Sequence, residues 1–222
     1  MNKIVIIAAG GHAREIAAYL LDDATTTQRL VGAFDDACTA PAVWHGSNLL
    51  GKVADLARFC AQEGEVEFII AVGKNEVRRS IALRIESMGL PNLKPWTVRH
   101  HTAWTGWGVG IGAGTLLAPN SIVTTNSQIG RHSILNVKAS VSHDCKVGDY
   151  CNLNPNSTIC GNVQLGDGCD IGAGATVIES RRIGAWSVIG AGAVVTEDLP
   201  EGVTAVGVPA RIIRRQGIPN NS

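Results

Sequence analysis

Apolar positions along this 222-residue chain obey two different rules. From Ile111 onward every sixth residue is aliphatic: Ile111, Leu117, Val123, Ile129, Leu135, Val141, Val147, Leu153, Ile159, Leu165, Ile171, Val177, Ile183, Ile189 and Val195. Four places after most of them stands a small residue, as at Thr115, Ser121, Ser127, Ser133, Ala139, Cys145, Cys151, Ser157, Cys169, Ala175, Ser187 and Ala193; Val163 and Arg181 break this second series. A period of six is neither helical nor simple strand alternation. It fits a chain that makes a short strand, turns a corner and repeats, so that three sides close a coil of eighteen residues. The aliphatic side chain then points inward and stacks on its equivalent one coil away, about 4.8 Å distant. The small residue also turns inward beside a corner, which predicts Cys145, Cys151 and Cys169 as buried small side chains. Gly112, Gly130, Gly148, Gly166, Gly172, Gly184 and Gly190 follow the aliphatic position, where a tight corner calls for glycine.

The first hundred residues have another rhythm. Lys3 to Ala8 reads as a strand, followed by Gly10-Gly11-His12 and a helix from Ala13 to about Asp22. Leu30 to Phe34 is a second strand ending in Asp35-Asp36, and Lys52 to Ala61 is helical. Val66 to Val72 is a buried strand, followed by Gly73-Lys74-Asn75 and a helix from about Glu76 to Met88. Strands alternating with helices predict a parallel sheet covered by helices, about half of a Rossmann unit. The expected architecture is α/β plus β: residues 1–100 form a Rossmann-like domain, and residues 101–222 form a parallel β-helix with a C-terminal tail.

Composition narrows the function. Nineteen basic and nineteen acidic residues cancel, so bulk charge draws the chain neither to nucleic acid nor to an anionic membrane. No apolar run approaches the roughly 20 residues of a membrane span. The apolar start at Ile4 to Ala9 breaks too early for a signal peptide, and a cytoplasmic protein is expected. The six cysteines form no C-x-x-C pair.

The run of [LIV]-Gly-x-x-x-x units resembles the hexapeptide-repeat acyltransferases. That resemblance implies a left-handed β-helix, a homotrimer and active sites between subunits. In the first half, Ala8-Ala9-Gly10-Gly11-His12, Phe34-Asp35-Asp36 and Ala71-Val72-Gly73-Lys74-Asn75-Glu76-Val77-Arg78 resemble the N-terminal domain of bacterial nucleotide-sugar N-acetyltransferases and their sialic-acid O-acetyltransferase relatives. The family usually begins the first turn with glycine where Ala8 stands.

A glycine turn between a strand and a helix N-terminus suits a phosphate, and an acid closing the second strand commonly meets a ribose or base. The complete G-x-G-x-x-G fingerprint is absent. The resemblance places Gly10, Gly11 and His12 near a diphosphate and Asp35 and Asp36 near the base or ribose, with Gly73 and Asn75 also on the acceptor side. Arg78 reads as a solvated helix charge.

Acetyl transfer from a thioester to an amine needs a general base and a donor for the tetrahedral oxyanion, often a backbone N–H. His143 lies two places after inward Val141, so it belongs to a corner and faces outward. Gly161 is eighteen residues further on and stacks above it, leaving a gap for a ligand and an exposed N–H. The segment Val141-Ser142-His143-Asp144-Cys145-Lys146-Val147-Gly148 resembles the catalytic segment of the same family. His143 is therefore the expected base, and Asp144 either orients it or serves a residue of a neighbouring subunit. The resemblance further implies that Asn136 contacts the acceptor sugar, that the Gly161 N–H holds the thioester carbonyl, and that Asn152, Ala191 and Arg211 border acetyl-CoA. Relatives often carry a second histidine where Asn152 stands; Asn cannot titrate, which favours His143 alone. Arg211, Arg214 and Arg215 either meet CoA phosphates or form a solvated basic tail.

The expected activity is acetyl-CoA-dependent N-acetylation of a nucleotide-linked 4-amino-dideoxy sugar for a surface glycan or glycoprotein precursor. The alternatives are O-acetylation of sialic acid or another sugar hydroxyl, and a non-catalytic nucleotide-sugar-binding scaffold. A zinc lyase on the same β-helix needs three converging histidines, and the repeats hold only His132 and His143, so no metal is expected.

Overall fold

The computed structural model describes residues 2–22, 29–37, 43–44, 47–215 and 217; Cys38 and the tail beyond residue 217 lie outside them. The chain divides into two compact units, Met1–Val98 and Arg99–Ser222. No helix among the described residues is long and apolar enough to cross a membrane.

The first unit is built on strands β1 (Lys3–Ile7), β2 (Leu30–Phe34), β3 (Val43–Trp44), β4 (Ser47–Gly51), β5 (Val66–Ile70) and β6 (Leu93–Pro95), in the order β3-β4-β2-β1-β5-β6. All pairings are parallel except β3 with β4. The central strands are aliphatic runs because both faces are covered. Val5 pairs with Phe68, Ile6 with Ile69 and Ile7 with Ile70, and all six are buried. Helix α1 (Gly11–Leu21) buries Ala13, Ile16, Ala17 and Leu20, a stripe at helical spacing. Helices α2 (Leu56–Glu63) and α3 (Asn75–Ser87) complete the described helices of this unit, and a 3-10 turn at Val53–Asp55 leads into α2. The edge strands β3 and β6, and β4 beside β3, carry no alternating or aliphatic run long enough to announce them.

The second unit is a β-helix of two-residue strands in three parallel sheets. The six-stranded face runs through Val123, Val141, Ile159, Val177 and Val195. The five-stranded face runs through Ile111, Ile129, Val147, Leu165 and Ile183. The eight-stranded face runs through Leu117, Leu135, Leu153, Ile171 and Ile189, and then through Val203–Val206 and the antiparallel last strand Arg211–Arg215. Every coil-to-coil pairing among these aliphatic residues spans eighteen positions. They form one continuous core, each contributing about 1.5–3 kcal/mol of burial.

The small residues point inward as expected, and they do more than fill space. Ser133 Oγ donates to the Gly148 carbonyl (3.1 Å) and accepts from the Cys151 N–H (3.0 Å). Ser127 does the same with the Ser142 carbonyl (2.7 Å) and the Cys145 N–H (2.9 Å). Cys145 donates to the Cys160 carbonyl at 3.1 Å and Cys151 to the Gly166 carbonyl at 3.2 Å. Cys145, Cys151 and Cys169 are fully buried free thiols, whose position is shared with serine and threonine in other coils. These bonds satisfy corner backbone groups that would otherwise be orphaned in the core.

The corner glycines have a different cause from the expected one. The left-handed backbone falls three places after the aliphatic residue: every sixth residue from Gly108 to Gly192 has φ between 51° and 75°, including Asn120, Asn126, Asp144, Asn156 and Asn162. Asparagine and aspartate tolerate this region best after glycine. The glycines immediately after the aliphatic position are instead forced by close approach of consecutive coils. A Cβ on Gly112 would lie 2.5 Å from the Arg131 nitrogen, and one on Gly166 2.5 Å from the Ala185 nitrogen.

Candidate active site

His143 stands at the corner between the six- and five-stranded faces. The eighteen-residue register stacks Trp107, Thr125, His143, Gly161 and Glu179 in one column. Backbone bonds lock its central steps: Asp144 N–H donates to the Thr125 carbonyl (3.0 Å), Asn162 to His143 (3.0 Å) and Ser180 to Gly161 (2.9 Å). A Cβ on Gly161 would lie 2.6 Å from both Cε1 and Nε2 of His143. The Nε2 edge of the ring therefore faces the space that glycine leaves open. The Gly161 N–H makes no hydrogen bond among the described residues.

The other ring nitrogen is engaged. His143 Nδ1 lies 2.8 Å from Asp144 Oδ2 within the same chain. Neighbouring side chains meet here because Asp144 has a left-handed backbone (φ 58°) at the point of the corner. The hydrogen bond from His143 holds the Asp144 carboxyl below its ordinary value. With Nδ1–H given to the carboxylate, Nε2 carries the lone pair. The His143 side chain is 55% exposed, so an external substrate can reach it. His132 is elsewhere, buried at another corner and stacked on Tyr150 at 5.7 Å.

The remaining expected residues of this unit occupy other places. Asn136 is at the corner between the eight- and six-stranded faces, its Oδ1 accepting from the Val137 N–H (2.8 Å). Ala191 is exposed at the same corner, three coils further along. Asn152 lies on the eight-stranded face and is buried. Arg211 begins the exposed last strand, 3.6 Å from Glu197, and Arg214 and Arg215 follow on it. Within one chain, then, His143, Asp144 and Gly161 come together, whereas Asn136 and Ala191 flank the opposite edge of the six-stranded face.

In the first unit a cleft of about 180 Å³ opens beyond the C-terminal ends of β1 and β2, lined by Ile7, Ala8, Phe34, Asp35, Asp36, Val53, Val72 and Ile81. Such a crevice is where parallel α/β sheets bind ligands. Gly10 is the N-cap of α1, and no side chain caps this helix. A Cβ on Gly10 would meet nothing within 4 Å, so the turn is open and its first N–H groups are available to an anion. His12 Nδ1 lies 3.0 Å from Glu15, while its Nε2 is buried without a partner among the described residues.

The two aspartates are committed to loop structure. Asp35 accepts the N–H groups of Ala9 and Ala37, both at 2.8 Å. Asp36 accepts the Val53 N–H (3.0 Å) and a bidentate contact from Arg84 at 2.6 and 3.1 Å. The Arg84 bond pulls the Asp36 carboxyl below its ordinary value, with the Val53 N–H adding to it. Any ligand contact by these carboxylates uses their remaining lone pairs. Ala8 has φ 86°, the strained left-handed region in which the family's usual glycine is at ease.

Arg78 corrects the sequence reading. It is 1% exposed, and its Nη1 donates to the carbonyls of Val72 (2.8 Å) and Gly73 (3.0 Å). It is a buried clamp on the turn after β5, because those carbonyls leave the sheet there and need donors. Gly73 has open space at its Cβ position, and Asn75 Oδ1 accepts the Glu76 N–H at 3.0 Å. Arg84, silent in the sequence as a single polar residue, acquires its contact with Asp36 only through the fold.

A triangular prism of hexapeptide coils carrying an exposed His–Asp pair beneath a glycine gap defines a hexapeptide-repeat acyltransferase. Residues 3–85 match the PglD N-terminal domain, and residues 144–179 match the bacterial transferase hexapeptide family of six repeats. PerB from Caulobacter crescentus, in complex with CoA and GDP-perosamine, superposes with a TM-score of 0.85 at 31% identity over 96% of this chain and 97% of its own. The acetyltransferase domain of PglB from Neisseria gonorrhoeae, in complex with acetyl coenzyme A, gives 0.83 at 28% identity over 96% and 100%. WeeI from Acinetobacter baumannii gives the same values. Uncharacterized protein L142 of Acanthamoeba polyphaga mimivirus is 28% identical over 132 residues, and the chain spans 24% of its length. The chain belongs to the PglD-type nucleotide-sugar N-acetyltransferase family with hexapeptide repeats.

Proposed function

We propose that the protein transfers the acetyl group of acetyl-CoA to the 4-amino group of a nucleotide-linked amino-dideoxy sugar, with His143 as general base. The observation that carries this reading is the Gly161 gap over the Nε2 edge of His143, at a residue whose N–H makes no hydrogen bond among the described residues. The neutral amine attacks the thioester carbonyl while His143 Nε2 takes its proton. Asp144 stabilises the imidazolium that forms, and the Gly161 N–H donates to the oxyanion. Collapse of the tetrahedral adduct breaks the C–S bond, and the leaving thiolate takes the proton back from Nε2. In the first unit the α1 N-terminus receives the diphosphate and the cleft beside Phe34 the base. PerB binds GDP-perosamine and the PglB domain acetyl coenzyme A, which supports this pairing of substrates.

A homotrimer goes with this reading. The outward positions of the six-stranded face are Trp104, Ile122, Ser140, Thr158, Thr176 and Val194, none of them charged. Those of the five-stranded face include Lys146 and Arg182. Packing of the uncharged face against a neighbour would join His143 of one chain to the Asn136 corner of another.

The test is thiol release from acetyl-CoA with a panel of UDP-, dTDP- and GDP-linked 4-amino sugars. Turnover of one amino sugar that disappears in His143→Ala supports the proposal. Turnover only with hydroxyl acceptors would replace it by O-acetylation, and undiminished turnover in the variant would remove His143 as base.

A further inference from the structure

We propose that Trp107 contacts the acceptor: its indole stacks on the pyranose ring whose 4-amino group reaches His143, and it sets a preference for a sugar with an apolar face. This assignment takes from the proposed function that the amine is delivered to His143 Nε2. Trp107 stands at the foot of the column that carries the base, two coils before His143 and separated from it by Thr125. Two steps of about 4.8 Å put roughly 10 Å between the two corners, a span that takes one sugar ring. Both side chains stand out from the prism: Trp107 is 81% exposed and the His143 side chain 55%. The short Thr125 side chain forms the floor between them, its Oγ1 donating to the Trp107 carbonyl at 2.8 Å.

A single exposed apolar side chain is ordinary, but here two indoles share one edge. Trp104 belongs to the same coil, is 54% exposed, and reaches toward this corner: a Cβ on Gly106 would lie 3.0 Å from its Cη2. The first coil thus places an aromatic surface on the edge where the base stands. At its exposure the Trp107 ring adds little burial to the fold. With the thioester in the Gly161 gap, the ring that bears the amine extends to the other side of the imidazole, toward Thr125 and Trp107. The face of an indole is electron-rich and attracts the weakly positive C–H groups of a pyranose. An amino-dideoxy sugar carries a methyl group where a hexose carries a hydroxymethyl, which enlarges the apolar face it can offer.

The experiment compares Trp107→Ala and Trp107→Phe with the parent by titration calorimetry of UDP-, dTDP- and GDP-linked 4-amino-4,6-dideoxyhexoses and of UDP, dTDP and GDP alone, with steady-state kinetics and light scattering alongside. In Trp107→Ala the Kd and KM of the amino sugar that binds should rise roughly three- to tenfold, the worth of one aromatic stack, and Trp107→Phe should recover most of the loss. The kcat, the KM for acetyl-CoA, the affinity for the free nucleotide and the particle mass should stay as in the parent, as for a contact made equally in the ground and transition states. An unchanged Kd for the nucleotide sugar in Trp107→Ala overturns the proposal. So does an equal loss for the free nucleotide, which would give the indole to the base, or a changed particle mass, which would give it to a subunit interface. A parent that binds none of the amino sugars overturns it together with the proposed function. A sugar-specific loss of affinity in a protein whose turnover survives His143→Ala keeps Trp107 at the sugar and overturns only the assignment of the base.

Discussion

Replacing Gly161 by alanine adds one methyl group at the narrowest point of the site. The new Cβ would stand 2.6 Å from His143 Cε1 and Nε2, where ordinary contact begins at 3.4 Å. The ring must therefore retreat by about 0.8 Å, and the space for the thioester is filled. A displacement of about 1 Å at a reacting group costs on the order of a hundredfold in rate, or about 2.7 kcal/mol of transition-state stabilisation. Folding is affected differently. The backbone at Gly161 is not left-handed, and the group struck is the end of an exposed side chain, which can yield where backbone cannot. Alanine then stabilises the fold by about 0.4–1 kcal/mol through the unfolded state. Gly166→Ala is the counterpart: its Cβ would strike the Ala185 backbone nitrogen at 2.5 Å, which cannot yield without separating two coils, at a cost of about 1–3 kcal/mol. Initial rates of CoA release and thermal melting measure both effects. Gly161→Ala should lose activity and keep its Tm; Gly166→Ala should lose Tm. If Gly161→Ala retained activity within threefold, or melted early like Gly166→Ala, the assignment of the gap to substrate would be wrong.

Ala8→Gly should raise the stability of the first unit by about 1 kcal/mol, because it releases a left-handed alanine, and differential scanning calorimetry of the two proteins checks it. The depressed Asp36 carboxyl adds stability that is complete above the ordinary value of 3.8 and is lost as pH falls from there through its lower native value. Asn at position 36 should flatten that acid limb, as read by urea midpoints from pH 5 downward. Cys145→Ser should melt within a few degrees of the parent, since Ser127 and Ser133 make the same carbonyl contact in neighbouring coils; a loss above about 3 kcal/mol would mean that sulfur volume, not hydrogen bonding, decides that position.

The prism and its central pair were legible because they depend only on counting. Fifteen aliphatic residues in register fix the coil length, and the coil length alone sets Gly161 over His143. The reason for the corner glycines was not legible. A glycine in a left-handed turn and a glycine under a crossing backbone look alike in sequence, and only the spacing between coils separates them. Arg78 was misread because burial of a helix guanidinium depends on two carbonyls at the end of a distant strand. Asp35 and Asp36 were found where the motif put them, but their bonds to Ala9, Val53 and Arg84 join elements far apart in the chain. Strands β3 and β6 escaped notice because edge strands need no aliphatic run, and β4, beside β3, has only Leu49 and Leu50 to mark it.

The eighteen-residue coil also sets the grammar by which this chain can change its length. An insertion or deletion of eighteen residues adds or removes a storey and leaves every face in line. One of six turns all that follows by a third of a revolution, keeping the core aliphatic while carrying each corner to the next edge of the prism. A six-residue deletion between Asp144 and Gly161 would thus yield a well-packed protein whose glycine no longer covers its histidine. Between those two residues the fold tolerates thirds of a coil and the site does not.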